Sequence, residues 1–200
     1  MHLEQLVLAS GNKGKLKELK HLLEPLHTRV HSQKDFSVKP VAETGLTFVE
    51  NALLKARAAA RATKLPALGD DSGLVVPALK GQPGIYSARF AGEDASDREN
   101  NELLLEKLSD VPREKRKANF YCCLVLLQHH RDPAPIVVSG LWHGEILEAP
   151  RGKGGFGYDP LFFDPKLERT AAELTIDEKS EVSHRGVALR ALIEQLTEDA

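Results

Sequence analysis

The buried-looking run Gln5–Ala9 ends abruptly in SGNKGK, and leucines at helical spacing follow at once: Leu16, Leu19, Leu22, Leu23 and Leu26. That junction constrains the fold more than any other stretch. A continuous apolar run suits a strand covered on both faces, and a helix opening directly after it belongs to an α/β architecture. The junction also raises a chemical question, because it packs two glycines, an amide and two lysines where a strand hands over to a helix.

The alternation continues along the chain. Arg29–Ser32 reads as a second strand. Thr47-Phe-Val-Glu50 is a capping box before an Ala-rich helix predicted to run to about Thr63. A short strand near Ala67–Gly69 leads into Asp70-Asp71-Ser72-Gly73, read as a turn, with another strand at Leu74–Val76. Ser96-Asp-Arg-Glu99 opens a helix through Leu108. Ala118–Gln128 and Ile136–Leu147 read as long strands, and the spacer HHRDPAP makes them antiparallel neighbours. A glycine-rich loop, RGKGGFGYDP, precedes a short strand, LFF. Thr175-Ile-Asp-Glu178 caps a short helix, and SHRGVALRALIEQL forms a terminal amphipathic helix. Interleaved helices and strands with long central strands predict an α/β fold built on a mixed sheet. With 200 residues and no repeat or linker, residues 1–200 are expected to form one domain, with room for two lobes.

Charge narrows the partners. Lys and Arg number 27 against 29 Asp and Glu, a formal net charge of −2. No global field draws the chain to nucleic acid or to an anionic membrane, so neither is expected as a partner. The two cysteines, Cys122 and Cys123, are adjacent in a strand and point to opposite faces. They suit neither a disulfide framework nor a zinc site, and read as inert strand residues. Their state favours a reducing compartment, and the N-terminal MHLEQ does not read as a secretory signal, so a cytoplasmic location is expected. The longest apolar run, Phe120–Leu127, is too short to cross a bilayer.

Three stretches carry chemistry. In SGNKGK, a helix N-terminus offers unpaired N–H groups and partial positive charge to an anion, Gly11 and Gly14 permit a tight turn, and Lys13 and Lys15 add charge. The spacing is not that of the P-loop, and a glycine turn with solvated lysines is the alternative. Gly152, Gly154 and Gly157 match G-x-G-x-x-G, but a strand follows rather than a helix, which rejects the dinucleotide-binding reading. That loop instead carries an aromatic, Phe156, and a carboxylate, Asp159, suited to clamping a flat ligand, or it is ordinary surface turn chemistry. Finally, Glu43 beside a helix start and Asp71 after a strand offer carboxylates for Mg2+, which takes few protein oxygens and keeps waters. Asp70 reads equally as a supporting residue or a plain turn residue. Lys55 and Arg57 default to exposure. His184 alone reads as a helix-end residue, Lys179 as a solvated charge, and Trp142 and Tyr86 as packing residues.

Taken together, SGNKGK, ETGLTFVENALLKA, DDSGL, PGIYSARF, GGFGYDPLF and EKS-x-x-SHRG, in this order from about Leu6 to Leu196, resemble the bacterial XTP/dITP pyrophosphatases, relatives of inosine triphosphatase. The resemblance implies two lobes around a central mixed sheet with a cleft active site, and a homodimer. It implies hydrolysis of inosine and xanthine triphosphates, ribo or deoxy, to the monophosphate and pyrophosphate with Mg2+, clearing them before they enter nucleic acid. Ser10, Gly11, Asn12, Lys13, Gly14 and Lys15 match the family's phosphate-binding loop. Glu43 and Asp71 match its metal-associated acids, and Asp71 also its general base. Ser72 matches a substrate contact. Phe156, Gly157, Tyr158 and Asp159 match the base-binding loop, with Phe156 the stacking ring. Lys179, His184 and Arg185 match further substrate contacts. Ala42 stands where some relatives carry a second acid. Base choice then has a physical logic: donors near Ser183-His184-Arg185 pair with a 6-oxo group and leave adenine, a donor there, mispaired.

Overall fold

A computed structural model describes residues 3–24 and 28–198. Leu26 of the predicted first helix and the first two residues of MHLEQ lie outside them. Seven strands and five α-helices follow in chain order: β1 (Gln5–Ala9), α1 (Lys13–Leu23), β2 (Arg29–Ser32), α2 (Phe48–Thr63), β3 (Ala67–Val75), α3 (Asp97–Lys107), β4 (Lys117–Leu127), β5 (Ile136–Ile146), β6 (Phe162–Asp164), β7 (Arg169–Thr170), α4 (Ile176–Val182) and α5 (His184–Glu198). Short 3₁₀ turns fill several connections. The strand order is β2-β1-β3-β4-β5-β6-β7. β1 lies parallel to both β2 and β3, whereas β6 lies antiparallel to both β5 and β7. The sheet is therefore mixed, as the alternation of elements predicts.

The capping boxes at Thr47, Ser96 and Thr175 all form: each hydroxyl accepts from the third helical N–H, and each glutamate three residues on returns a bond to the cap. The largest departure from expectation lies at Asp70-Asp71-Ser72-Gly73. It is not a turn but the middle of one nine-residue strand, β3. Aspartate is disfavoured in strands by local propensity, and here cations from distant elements reverse that preference. A smaller departure is Tyr86, which is 53% exposed rather than packed, with the Arg89 guanidinium 5.4 Å from its ring centre. Trp142 packs as expected: it is buried against Phe162, ring centres 4.8 Å apart, and its Nε1–H donates to Asp164 at 2.8 Å.

The chain falls into two compact units: Met1–Asp71 with Cys122–Gly140 and His184–Ala200, and Ser72–Tyr121 with Leu141–Ser183. In the first unit the sheet is covered on both faces. Leu6, Leu8, Leu68, Leu124 and Leu126 face Leu19 and Leu23 of α1 and Leu189 and Leu192 of α5. The alternate residues Val7, Ala9 and Ala67 face Ala59 and Ala60 of α2. This two-sided cover explains the unbroken apolar run of β1. In the second unit, Leu104 and Leu108 pack with Phe120, Trp142, Ile146 and Phe162.

Two glycines set how closely the helices approach in the first unit. A Cβ on Gly69 would overlap the Ala52 carbonyl oxygen of α2, and one on Gly140 would overlap the His184 carbonyl oxygen and stand 2.6 Å from the Ala188 nitrogen of α5. With small alanines along α2 and no side chain at position 69, the helix lies near-flush on β3.

Candidate active site

Successive strand residues point to opposite faces, so Asp70 and Asp71 of β3 cannot share an environment. Asp70 follows Leu68 toward α1 and α5. Its Oδ1 accepts from Lys15 Nζ at 2.7 Å and its Oδ2 from Arg185 Nε at 2.9 Å, and the Cys122 thiol lies 3.6 Å from the same oxygen. The other arm of the Arg185 guanidinium bonds Glu18 of α1. Asp70 and Arg185 are each 1% exposed. Burial alone would raise the Asp70 carboxyl, but Lys15 and Arg185 overcome it and hold it well below the usual carboxylate range. Burial likewise opposes the charge on Arg185, yet Asp70 and Glu18 keep its pKa above the ordinary value.

Asp71 follows Gly69 toward α2. Its Oδ1 accepts from Lys55 Nζ at 2.7 Å, and the same ammonium reaches Glu43 Oε1 at 2.8 Å. Asn51 Nδ2 approaches Asp71 Oδ2 at 3.4 Å, while Asn51 Oδ1 holds the Gly45 N–H at 2.8 Å. One helical turn separates Asn51 from Lys55, so both side chains leave the same face of α2. Asp71 is buried too, at 4% exposed, and burial pushes its carboxyl above the ordinary value, with Lys55 only partly offsetting this. Lys55 is held charged: burial lowers its pKa, and Asp71 and Glu43 more than restore it.

The opening junction resolves differently from its turn reading. Asn12 is the N-cap of α1, its Oδ1 accepting from the Lys15 N–H at 3.1 Å, and Gly14 lies inside the first helical turn rather than before it. No acid occupies that first turn, so the partial positive charge of the helix end is not neutralised within it. Ser10 Oγ accepts from the Asn12 N–H at 3.2 Å and braces the loop. Lys13 is exposed; Lys15, two residues on, folds back onto Asp70.

In the second unit, residues 156–159 form a compact turn organised by Asp159. Its buried carboxylate accepts from the Phe156 N–H at 2.9 Å and from Lys179 Nζ at 2.6 Å. The Lys179 ammonium also sits 4.9 Å from the Phe156 ring centre, where the electron-rich ring face attracts it. Tyr158 is buried, its hydroxyl donating to the Ser87 carbonyl at 2.9 Å, with burial pushing that hydroxyl's pKa upward. Tyr158 and Asp159 thus anchor the loop, and Phe156 remains partly exposed at its surface.

Of the sequence-selected residues, the first unit brings together Lys15, Glu43, Asp71, Arg185 and the α1 N-terminus around one segment of β3. His184 opens α5 and is buried beside Arg185, and the half-buried Ser72 follows Asp71 on β3. The second unit brings together Phe156, Gly157, Tyr158, Asp159 and Lys179. Lys179 is not a solvated charge but 5% exposed. Lys55, read as exposed, is the bridge between Glu43 and Asp71. Asn51 and Glu18 were not anticipated. A signal existed for both: Asn51 and Lys55 interleave with the buried alanines of α2, and Glu18 stands beside Leu19 on the inward face of α1.

Glu43 and Asp71 converge on one cationic centre, which is the donor set a hard divalent ion accepts. Among the described residues no cluster of three or more His, Cys, Asp or Glu is arranged to hold a metal. Two carboxylates would leave the rest of such an ion's coordination shell to other oxygens, water among them.

Residues 6–195 match the model of the Ham1 family. The chain is 55% identical over 194 residues to the dITP/XTP pyrophosphatase of Shigella flexneri, covering 97% of this chain and 98% of the relative. The solved structure of a HAM1 protein from Coxiella burnetii superposes with a TM-score of 0.89 at 49% identity, covering 98% of this chain and 100% of that one. The Ham1 protein of Staphylococcus aureus superposes at 0.85 with 41% identity, covering 98% and 100%.

Proposed function

The chain belongs to the Ham1 family, and from that premise we propose that it hydrolyses non-standard purine nucleoside triphosphates, ITP, dITP and XTP, to the monophosphate and pyrophosphate. Its role is to remove these nucleotides before they enter DNA or RNA. The observation that carries this reading is the treatment of two adjacent aspartates: Asp70 is locked between cations, and Asp71 is left with a raised affinity for protons. Neighbouring carboxylates pushed apart in this way divide into a structural anion and a working base.

The steps follow from the residues. The α1 N-terminus with Ser10–Lys15 receives the triphosphate, where helix N–H groups and Lys13 offset its charge. Lys55, anchored on Glu43 and Asp71, adds a second cation beside the carboxylates. Asp71 orients a water and takes its proton as the oxygen attacks the α-phosphorus. The bond between that phosphorus and the α–β bridging oxygen breaks, and pyrophosphate departs with the bonding pair. Family chemistry points to a divalent cation, and Mg2+ on Glu43 and Asp71 would neutralise phosphate charge and lower the pKa of bound water. Phe156 stacks on the base, while Asp159 and Lys179 fix the ring. Ser72 and His184 remain substrate contacts, and donors near residues 183–185 meet the 6-oxo group. The Arg185 guanidinium contributes by holding Asp70 and Glu18.

We also assign a single functional domain over residues 1–200, a homodimer and a cytoplasmic location. Among the described residues, no helix is long and apolar enough to cross a membrane. The test is a product assay with ITP, dITP, XTP, ATP, GTP and pyrimidine triphosphates, with Mg2+ and with excess chelator. Pyrophosphate from the first three alone, abolished by chelation, is the expected result. Orthophosphate as product, or a pyrimidine preference, overturns the assignment.

A further inference from the structure

The loop assigned to the base is held by α3, a helix outside the three stretches that carry chemistry. Gly157 adopts φ +58, and both its backbone polar groups are taken by the first two turns of α3. Its N–H donates to Asp97 Oδ2 at 2.7 Å, and its carbonyl accepts from Asn101 Nδ2 at 2.7 Å. Asn101 Nδ2 also donates to the Asp97 carbonyl at 2.6 Å, so the three residues close a ring of hydrogen bonds. Asp97 and Asn101 are four apart on the helix and project side by side, which matches the N–H and C=O of one residue. With both amide donors of Asn101 used in this way, the orientation of its side chain is determined: Nδ2 must face Gly157, and Oδ1 is buried with no partner. An unsatisfied buried acceptor costs stability, so this asparagine is placed for the loop rather than for the helix.

We infer that Asp97 and Asn101 are positioning residues for base recognition: they clamp Gly157 and thereby fix the Phe156 ring. The inference rests on the reading that residues 156–159 receive the base. Each neighbour of Gly157 has its own tether, Phe156 and Asp159 to one another and Tyr158 to Ser87. None of those tethers sets the direction in which Gly157 turns the chain. Glycine takes either sign of φ at little cost, so bonds from outside decide which one it keeps, and Gly157 draws its pair from α3. Loosening it frees Phe156 from the ring orientation that stacking needs, while leaving the acids of β3 untouched.

The experiment measures steady-state hydrolysis of ITP by the full chain and its variants. Asp97→Ala and Asn101→Ala are expected to raise KM for ITP roughly 10-fold or more, the loss of one or two good hydrogen bonds, with kcat within about 3-fold of the parent. Asp97→Asn keeps an acceptor for the Gly157 N–H and restores KM to within about 3-fold. Hydrogen exchange at the Gly157 amide accelerates in Asp97→Ala and not in Asp97→Asn. Unchanged KM in both alanine variants, equal losses in kcat and KM tracking a falling Tm, or no rescue by Asp97→Asn overturns the proposal. Should an alanine variant fail to fold, Asp97→Asn against Asn101→Asp, which removes only the donors, gives the same comparison. Failure of the parent chain to hydrolyse ITP sinks the functional reading itself, a result separable from every variant outcome.

Discussion

Asp70 and Asp71 are the same side chain on consecutive residues of one strand, yet the two faces of β3 put them to opposite uses. On the face toward α1 and α5, Asp70 is sealed among Lys15, Arg185, Glu18 and Cys122, and its charge is locked in. On the face toward α2, Asp71 has Lys55, Glu43 and Asn51 beside it and keeps an elevated proton affinity. The difference teaches that a strand can supply a fixed anion and a working base from adjacent positions, because its pleat separates them by a full sheet thickness of environment. The fixed anion orients cations; the other exchanges protons.

The hardest blow to that comparison comes from the sealed side. Asp70→Asn leaves Arg185 and Lys15 short of a buried counter-charge and should cost about 3–5 kcal/mol of stability. Denaturant unfolding measures it. A loss under about 1 kcal/mol means the network is not the anchor described. Next in size is the open side. Asp71→Asn should reduce kcat for ITP by about 100-fold or more while leaving stability unchanged or slightly improved, since burial opposes its charge. Retained turnover removes Asp71 from the role of base. Equal instability in both asparagine variants erases the distinction between the faces.

Acid separates the two by sign. The folded-state pKa of Asp70 is depressed, so its contribution is fully present above the ordinary carboxylate value of about 3.9 and is lost only as pH falls through its lower folded value. Asp71 is raised, so its charged form opposes folding above its folded pKa, and that penalty disappears as pH falls below the ordinary value. The stability deficit of Asp70→Asn should therefore persist down to about pH 4. Any advantage of Asp71→Asn should shrink over the same descent. Parallel pH profiles for the two variants contradict the assignment.

Much of this was legible locally and the rest was not, for a physical reason. The boxes at Thr47, Ser96 and Thr175 involve four residues each, and all three form. The strand through Asp70-Asp71 reads locally as a turn because its ion partners lie 55 and 115 residues away, at Lys15 and Arg185. Lys55 defaulted to the surface because its reason for burial, Asp71, is 16 residues distant. The α3 clamp was invisible in the same way: Gly157 is 60 residues from Asp97. Propensity sees neighbours in sequence, and this site is made of neighbours in space.

A steric change tests whether the open face depends on the fit of α2. Gly69→Ala places a methyl where the Ala52 carbonyl oxygen stands and must lift α2 from β3. The expected cost is about 1–3 kcal/mol, with activity falling as Lys55 moves from Asp71. An alanine variant of parental stability and rate shows that the helix is not held at that distance.

The smallest effect concerns two thiols that no step uses. Cys122 faces the sealed side, where burial and the Asp70 charge push it far above an ordinary thiol. Cys123, on the opposite face, is pushed up by burial to about 11. The thiolate is the reactive form, so at pH 8 alkylation of Cys123 in the folded chain should run about 100-fold slower than for a free cysteine, and that of Cys122 slower still. Mass spectrometry of iodoacetamide-treated protein follows both sites, with activity expected to hold until modification begins. If Cys122 reacts first, water and reagent reach the Asp70 side more readily than the Asp71 side, and the sealed and open faces have been assigned the wrong way round.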